Sequence, residues 1–280
     1  MFKKFFSFTG VMALVCFSFY YTDSAVDIVK RNDPIMKEIK TVASNYEQDS
    51  QDAVLINNNI IPGINGIKVD IDRSYEKMKK YGSFDESLLV FQEVTPVIST
   101  SNNYDKFIIK GNSTNQSISL VFKINTISYI DELLETLKEK KARATFFVTS
   151  DIINNEISTI EKIYLNGHEI ELLDDYYIYK DVKSNNKLIK QLTGTKLKYC
   201  YSEEEDKEII KNCKSSKMHT IIPSIITSTF PYNSIKNHVV SGSIISLNNN
   251  LNTIREFSPI LNYLNQKGYK MLLLSDLLKE

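Results

Sequence analysis

The sequence predicts an α/β protein, a compact distorted (β/α)7 barrel preceded by a small α+β N-terminal appendage. Three observations predict it. From Ser117 onward, short apolar runs alternate with stretches of helical period, seven times over, and such alternation builds a parallel sheet with helices outside. The seven units occupy roughly 165 residues, which favours a short-looped barrel over a doubly wound sheet. Hydrophobic residues are 42% of the chain and charged residues 24%, the ordinary globular mixture, so a sizeable core can form.

The elements follow in order. Residues 1–25 read as a signal peptide or membrane anchor: Lys3 and Lys4 precede the uncharged run Phe5 to Tyr21, and no clean small-residue cleavage site follows. Residues 26–114 read as an appendage and linker. Asp33-Pro34 starts a helix, Pro62-Gly63 and Asn65-Gly66 break short strands, and Ser74 to Tyr81 forms a short helix. Leu88 to Phe91 and Phe107 to Ile109 are strand candidates. The domain at 115–280 opens with strand Ile118 to Ile124. Ile127, Ile130, Leu133, Leu134 and Leu137 then mark the helix Ser128 to Lys140. Strands Ala144 to Val148, His168 to Leu172 and Leu197 to Tyr201 follow, separated by helices Ile152 to Leu165 and Asn185 to Leu192. Helix Glu203 to Lys214, strand His219 to Pro223, a weaker helix Ser234 to Val239, strand Ser243 to Leu247, helix Thr253 to Gln266 and strand Tyr269 to Leu274 complete the pattern.

Composition excludes several classes. Lys+Arg and Asp+Glu are 34 each, so the net charge is zero and no global excess of cations points to nucleic acid. Three cysteines rule out a disulfide scaffold or a multi-cysteine zinc module. Cys200 and Cys213 are expected to stay unpaired and mostly buried, because the rise of the following helix carries Cys213 too far from the strand for a disulfide.

The domain resembles the NodB-homology polysaccharide deacetylases, carbohydrate esterase family four. Ser119-Leu120-Val121-Phe122, Ala144-Thr145-Phe146-Phe147 and Gly167-His168-Glu169-Ile170 carry the resemblance, with Gly242-Ser243-Ile244-Ile245 and Gly268-Tyr269-Lys270 near the end. Ile61-Pro62-Gly63-Ile64-Asn65-Gly66 resembles a segment preceding the barrel in some secreted members. The resemblance implies a base Asp, a second Asp and two His holding a divalent metal, an Arg orienting the base, and a late His as acid. At the matching positions stand Lys123, Ile124, Leu173, Tyr177, Tyr201 and Asn248. All six functional side chains are absent, at predicted strand ends. Ile and Leu bind no hard ion, so no metal and no cofactor are expected and the chain reads as an inactive member.

Other groups have plainer readings. His168 looks structural, and a relocated site from His168, His219 and His238 lacks convergent ligands. Asp174 and Asp175 could join Glu171 at a metal, but a solvated acidic loop pairing with Lys123 explains them more simply. Glu203 to Asp206 fit the first turn of a helix. Tyr176, Tyr177, Tyr179, Tyr199 and Tyr201 gather at the mouth, where they either plug the vacated cavity or stack on sugar. Lys123, Asp174, Asp175, Tyr176, Tyr177, Tyr199, Tyr201 and Asn248 are therefore the candidate glycan-binding or plug residues, with Lys123 expected to reach Asp174, Asp175 or Asn248. The expected role is an exported protein that binds peptidoglycan, another N-acetylated glycan or an envelope partner without catalysis. The alternatives are a deacetylating hydrolase with a non-standard site and a structural envelope protein. Contact with a membrane would come through the N-terminal segment, and no nucleic-acid partner is expected.

Overall fold

The computed structural model describes residues 28–173 and 182–280, together with Met12 and Phe17. The rest of residues 1–25, read as a signal peptide or membrane anchor, and Asp174, Asp175, Tyr176, Tyr177 and Tyr179, lie outside the described residues. No helix among those described is long and apolar enough to cross a membrane.

In chain order the strands are β1 (Val54–Ile56), β2 (Asn59–Ile61), β3 (Gly66–Val69), β4 (Phe91–Val94), β5 (Phe107–Ile108), β6 (Ser117–Ile124) and β7 (Thr145–Val148). They continue with β8 (Glu169–Leu172), β9 (Tyr199–Tyr201), β10 (His219–Ile221), β11 (Ile225–Ile226), β12 (Ile244–Asn248) and β13 (Lys270–Leu272). The chain divides into two compact units: residues 1–50 with 65–94, and residues 51–64 with 95–280. Segments 51–64 and 95–114, read from sequence as appendage and linker, therefore pack within the larger unit.

The smaller unit sets the helix Pro34–Ala43 and the helix Ile71–Lys79 beside the antiparallel pair β3–β4. Asp33 caps the first helix by accepting from the Ile35 N–H, with proline at the first turn as expected. Ile35, Ile39, Ala43, Val69, Met78 and Leu89 form its core. The strand expected at Leu88 to Phe91 lies later, at Phe91–Val94. Asp85 caps a turn of 3-10 helix over Glu86–Leu88, which takes Leu88 out of the extended run.

The larger unit is a curled, incomplete barrel. Its strands run in the order β1-β2-β5-β10-β9-β8-β7-β6-β12-β11, with β13 also on β6. All pairs are parallel except β1–β2. The eight-residue β6 is the hub. Val121 to Ile124 pair with β7, Ser119 to Lys123 with β12, and Ser117 to Ser119 with β13. Ser119 faces Ile244 on one side and Leu272 on the other, so β13 and β7 take successive stretches of one edge of β6.

Strand alternation sorts the core into two layers. Ile118, Leu120, Phe122 and Ile124 pack outward with Phe146, Val148, Leu133, Leu137, Phe257 and Leu261, against the helices. Val121, Phe147, Leu173, Tyr199, Tyr201, Ile221 and Ile244 form the inner cluster, closed by Leu274, Leu277 and Leu278. Most helices lie where their periodicity places them. The helix expected over Ile152 to Leu165 is two, Ser150–Asn155 and Ile157–Leu165, broken at Glu156.

Cys200 and Cys213 form a disulfide with Cα atoms 6.3 Å apart, which corrects the expectation of unpaired thiols. Both are buried, as expected. The helix Lys207–Ser215 runs back alongside β9 instead of away from it. Its rise therefore returns Cys213 to the level of Cys200, which points outward between the inward Tyr199 and Tyr201.

Candidate functional site

The mouth is built at the carboxyl ends of β6, β8, β9 and β12. Lys123 is the last inward residue of β6, level with Asn248 of β12 and Phe147 of β7. Its ammonium pairs with Glu203, on the loop after β9, and stands 5.6 Å from the centre of the Tyr201 ring. Of the expected partners only Asn248 is among the described residues, and it is not used: it donates through Nδ2 to the Thr227 carbonyl at 3.2 Å. The pairing with Glu203 was missed because the helix was expected to start there. It starts at Lys207, with Asp206 as cap accepting from the Glu208 and Ile209 N–H groups. That leaves Glu203 to Glu205 as a loop. Glu203 takes Lys123, and Glu205 accepts from Asn58 and Asn59 at 2.8 and 2.9 Å.

Beneath this pair the interior is filled. Tyr201 is buried, its hydroxyl 2.8 Å from the Ser246 Oγ and its ring edge-on to Phe147 at 5.5 Å. Tyr199 is buried lower in the same cluster. Burial raises both phenols well above the ordinary tyrosine value, against the lowering effect of Ser246 on Tyr201 and with Glu171 adding to the rise at Tyr199. Neither ring can supply a phenolate at neutral pH. Leu173 joins the same apolar cluster. Ile124 turns to the helix layer.

Glu171 is not a metal ligand in waiting. Its Oε2 accepts from the backbone N–H groups of Lys198 and Tyr199, at 2.7 and 2.8 Å. Strands β8 and β9 share a single register pair, Leu172 with Cys200, so the carboxyl stands in for the missing ladder. Burial, with neighbouring Glu169, raises its pKa well above the ordinary carboxyl value, against those two bonds. His168 is structural as expected: its Nδ1 accepts from the Ala144 N–H, and burial, with Arg143, lowers its pKa to about 4. His219 stacks on Tyr104 with centroids 4.2 Å apart. His238 lies exposed on its own helix.

At the described positions where the resemblance implies metal ligands, a divalent ion finds no donor. Ile124 and Leu173 offer no donor atom, and each sits in an apolar cluster. Among the described residues no three His, Cys, Asp or Glu side chains converge. Of the candidate residues, the structure brings Lys123 and Tyr201 together, with Asn248 at the level of Lys123 and Tyr199 lower in the cluster. Glu203 and Ser246 are the partners that sequence reasoning missed. Ser246 had a signal: it lies two residues before Asn248, on the same face of β12.

Residues 110–208 match the family model described as polysaccharide deacetylase. This stretch matches as a polysaccharide-deacetylase domain, in line with the degenerate member of that family that the sequence resembles. The chain is similar over its whole length to an uncharacterized protein, YlxY, of Bacillus subtilis, at 25% identity and covering 98% of that protein. Among solved structures it resembles BA3943 of Bacillus anthracis, described as a pseudoenzyme of carbohydrate esterase family four. The TM-score is 0.66 at 23% identity, over 89% of this chain and 96% of that one. It also resembles the Bc1960 peptidoglycan N-acetylglucosamine deacetylase, with a TM-score of 0.55 at 16% identity, over 60% of this chain and 91% of that one. These likenesses show a shared fold.

Proposed function

We propose that this is an exported, catalytically inactive deacetylase-like protein that works in the cell envelope by binding N-acetylated glycan or an envelope partner. The observation that carries the proposal is the engagement of two side chains at the mouth: Tyr201, which the resemblance puts at the position of the orienting Arg, is buried with its hydroxyl on Ser246, while Lys123, at the position of the base, is tied to Glu203. A deacetylase needs a base and a metal-held water at this level, and these side chains supply neither. The similarity to a pseudoenzyme of the same fold supports the reading. The buried Cys200–Cys213 disulfide suits an oxidising compartment and supports export. The N-terminal run would serve as signal or anchor, which brings the membrane in as a second contact.

The test has two arms. Acetate release from chitooligosaccharides and from peptidoglycan should stay at background, with or without added Zn, Co or Mn. Metal-dependent release, abolished by Tyr201→Phe or Lys123→Ala, would reject inactivity. Retention of the protein on purified peptidoglycan supports glycan as the ligand, whereas retention only by envelope protein fractions points to a protein partner.

A further inference from the structure

On the outer wall of the larger unit, a groove of about 630 Å³ runs between the helix Val182–Thr193 and the turn after the helix Lys207–Ser215. Lys183, Lys187, Lys190, Lys196 and Lys217 line it, and all five are exposed. The remainder of the lining is asparagine, leucine and serine, with no carboxylate and no aromatic ring. None of the five lysines has an ion-pair partner among the described residues. Residues 182–202 hold no Asp or Glu at all. A chain of zero net charge thus concentrates cations on one wall. The groove lies toward the amino ends of β9 and β10, away from the mouth.

We propose that this groove is a binding site for a linear phosphodiester polymer that carries no bases. Lys183, Lys187 and Lys190 fall at i, i+4 and i+7, one helix face that spans about 10 Å along the axis. Lys196 and Lys217 face them from the groove's other elements. One phosphate cannot serve cations so widely spaced, whereas a chain of phosphates can. The concave shape favours a strand over a flat bilayer surface. Single-stranded nucleic acid is the weaker fit, because its binding sites add aromatic platforms on which bases stack, and this lining has none. The proposal stands independently of the mouth and of its inactivity.

Lys217 allows a discriminating test. It sits in the left-handed region at φ 56°, one residue past the helix cap, the place that Gly167 and Gly268 occupy after other helices. Glycine is the easier residue there, so Lys217→Gly should keep or raise the melting temperature while removing one groove cation. The experiment measures binding of the full chain to synthetic poly(glycerol phosphate) across a salt series. Affinity should fall steeply with salt. The combined Lys183→Gln, Lys187→Gln and Lys190→Gln variant should lose about tenfold or more at low salt, and its log–log salt slope should shrink by about 2, near 0.7 per lost phosphate contact. Lys217→Gly should weaken binding without loss of stability. A control with the same charge change elsewhere, Lys138→Gln, Lys141→Gln and Lys236→Gln, should bind as the parent does. Equal losses in both triple variants, unchanged affinity in Lys217→Gly, equally tight binding of single-stranded DNA, or binding to phosphatidylglycerol vesicles but not to the polymer would each overturn the assignment.

Discussion

Lys123 and Tyr201 stand 5.6 Å apart at the mouth but carry different weights. The ammonium is a quarter exposed and its Glu203 partner half exposed, so water already screens the pair. Lys123→Ala should therefore change unfolding free energy by less than about 1 kcal/mol, read by urea titration, and a double-mutant cycle with Glu203→Gln should give a coupling of that size. A larger loss would mean that the pair is buried in solution. Tyr201 is the costlier position. Tyr201→Phe leaves the buried Ser246 hydroxyl without its partner and should cost about 1–2 kcal/mol by the same titration. Tyr201→Arg, the residue type the resemblance implies here, should cost more, because the guanidinium would enter an apolar cluster close to the Lys123 ammonium, which already holds Glu203. Sequence reasoning reached the replaced positions only through the resemblance to the deacetylase family, whose motifs fall at the strand ends. It could not reach Glu203, since the choice between a helix starting at Glu203 and one starting at Lys207 turns on which acid caps. Asp206 wins by receiving two backbone N–H groups.

Among elements, β9 and its following helix show where one-dimensional reading ends. Both were legible, and so was the burial of Cys200 and Cys213. Their disulfide was not, because the direction of a returning helix is a property of the fold and not of its length. The bond closes a loop with a sequence separation of 13, for which chain entropy gives about 3 kcal/mol. Cys200→Ser with Cys213→Ser should lower the melting temperature by a corresponding amount, and dithiothreitol should do the same to the parent but not to the double variant. Free thiols titrated at Cys200 and Cys213 in the denatured, unreduced parent would show that the cysteines are unpaired. Glu171 works at the same scale, lending its carboxyl to a ladder only one residue pair wide.

For the whole molecule, the buried titratable groups oppose one another. Burial lowers His168 and His219 from 6.5 to about 4, the latter against the pull of Glu280. Between those values the unfolded chain takes up protons that the fold refuses, so stability should fall as pH drops from about 6.5 toward 4. Glu171 has the reverse sign. Its folded pKa is raised, so its contribution is full below 4.5 and declines as pH rises through the raised value. Glu171→Gln keeps an oxygen for the two N–H groups and removes the titration. It should flatten the high-pH side of a stability–pH curve while leaving the low-pH side, set by the histidines, in place. Urea midpoints at intervals from pH 4 to pH 9 check this, and a variant with an unaltered high-pH side would exclude Glu171 as the cause. The seven-unit architecture was legible from periodicity. The joining of 51–64 and 95–114 to the larger unit was not, because two-residue strands such as β5 carry no period and acquire their place only by pairing with β2 and β10.

The edge of β6 that β13 and β7 share sets an order of events during synthesis. The hub strand is made before the middle of the chain, yet two of its three neighbours, β12 and β13, emerge only near the end. Pairings this distant in sequence are slow to form, so a growing chain holds β6 incompletely paired until translation is nearly finished. If the chain is exported as proposed, it would gain from that delay by reaching a narrow translocation channel before the barrel can assemble. Ribosome-stalled chains truncated at Ser241 and followed by a linker that clears the exit tunnel should accordingly be cut rapidly by protease within β6, and full-length chains followed by the same linker should resist.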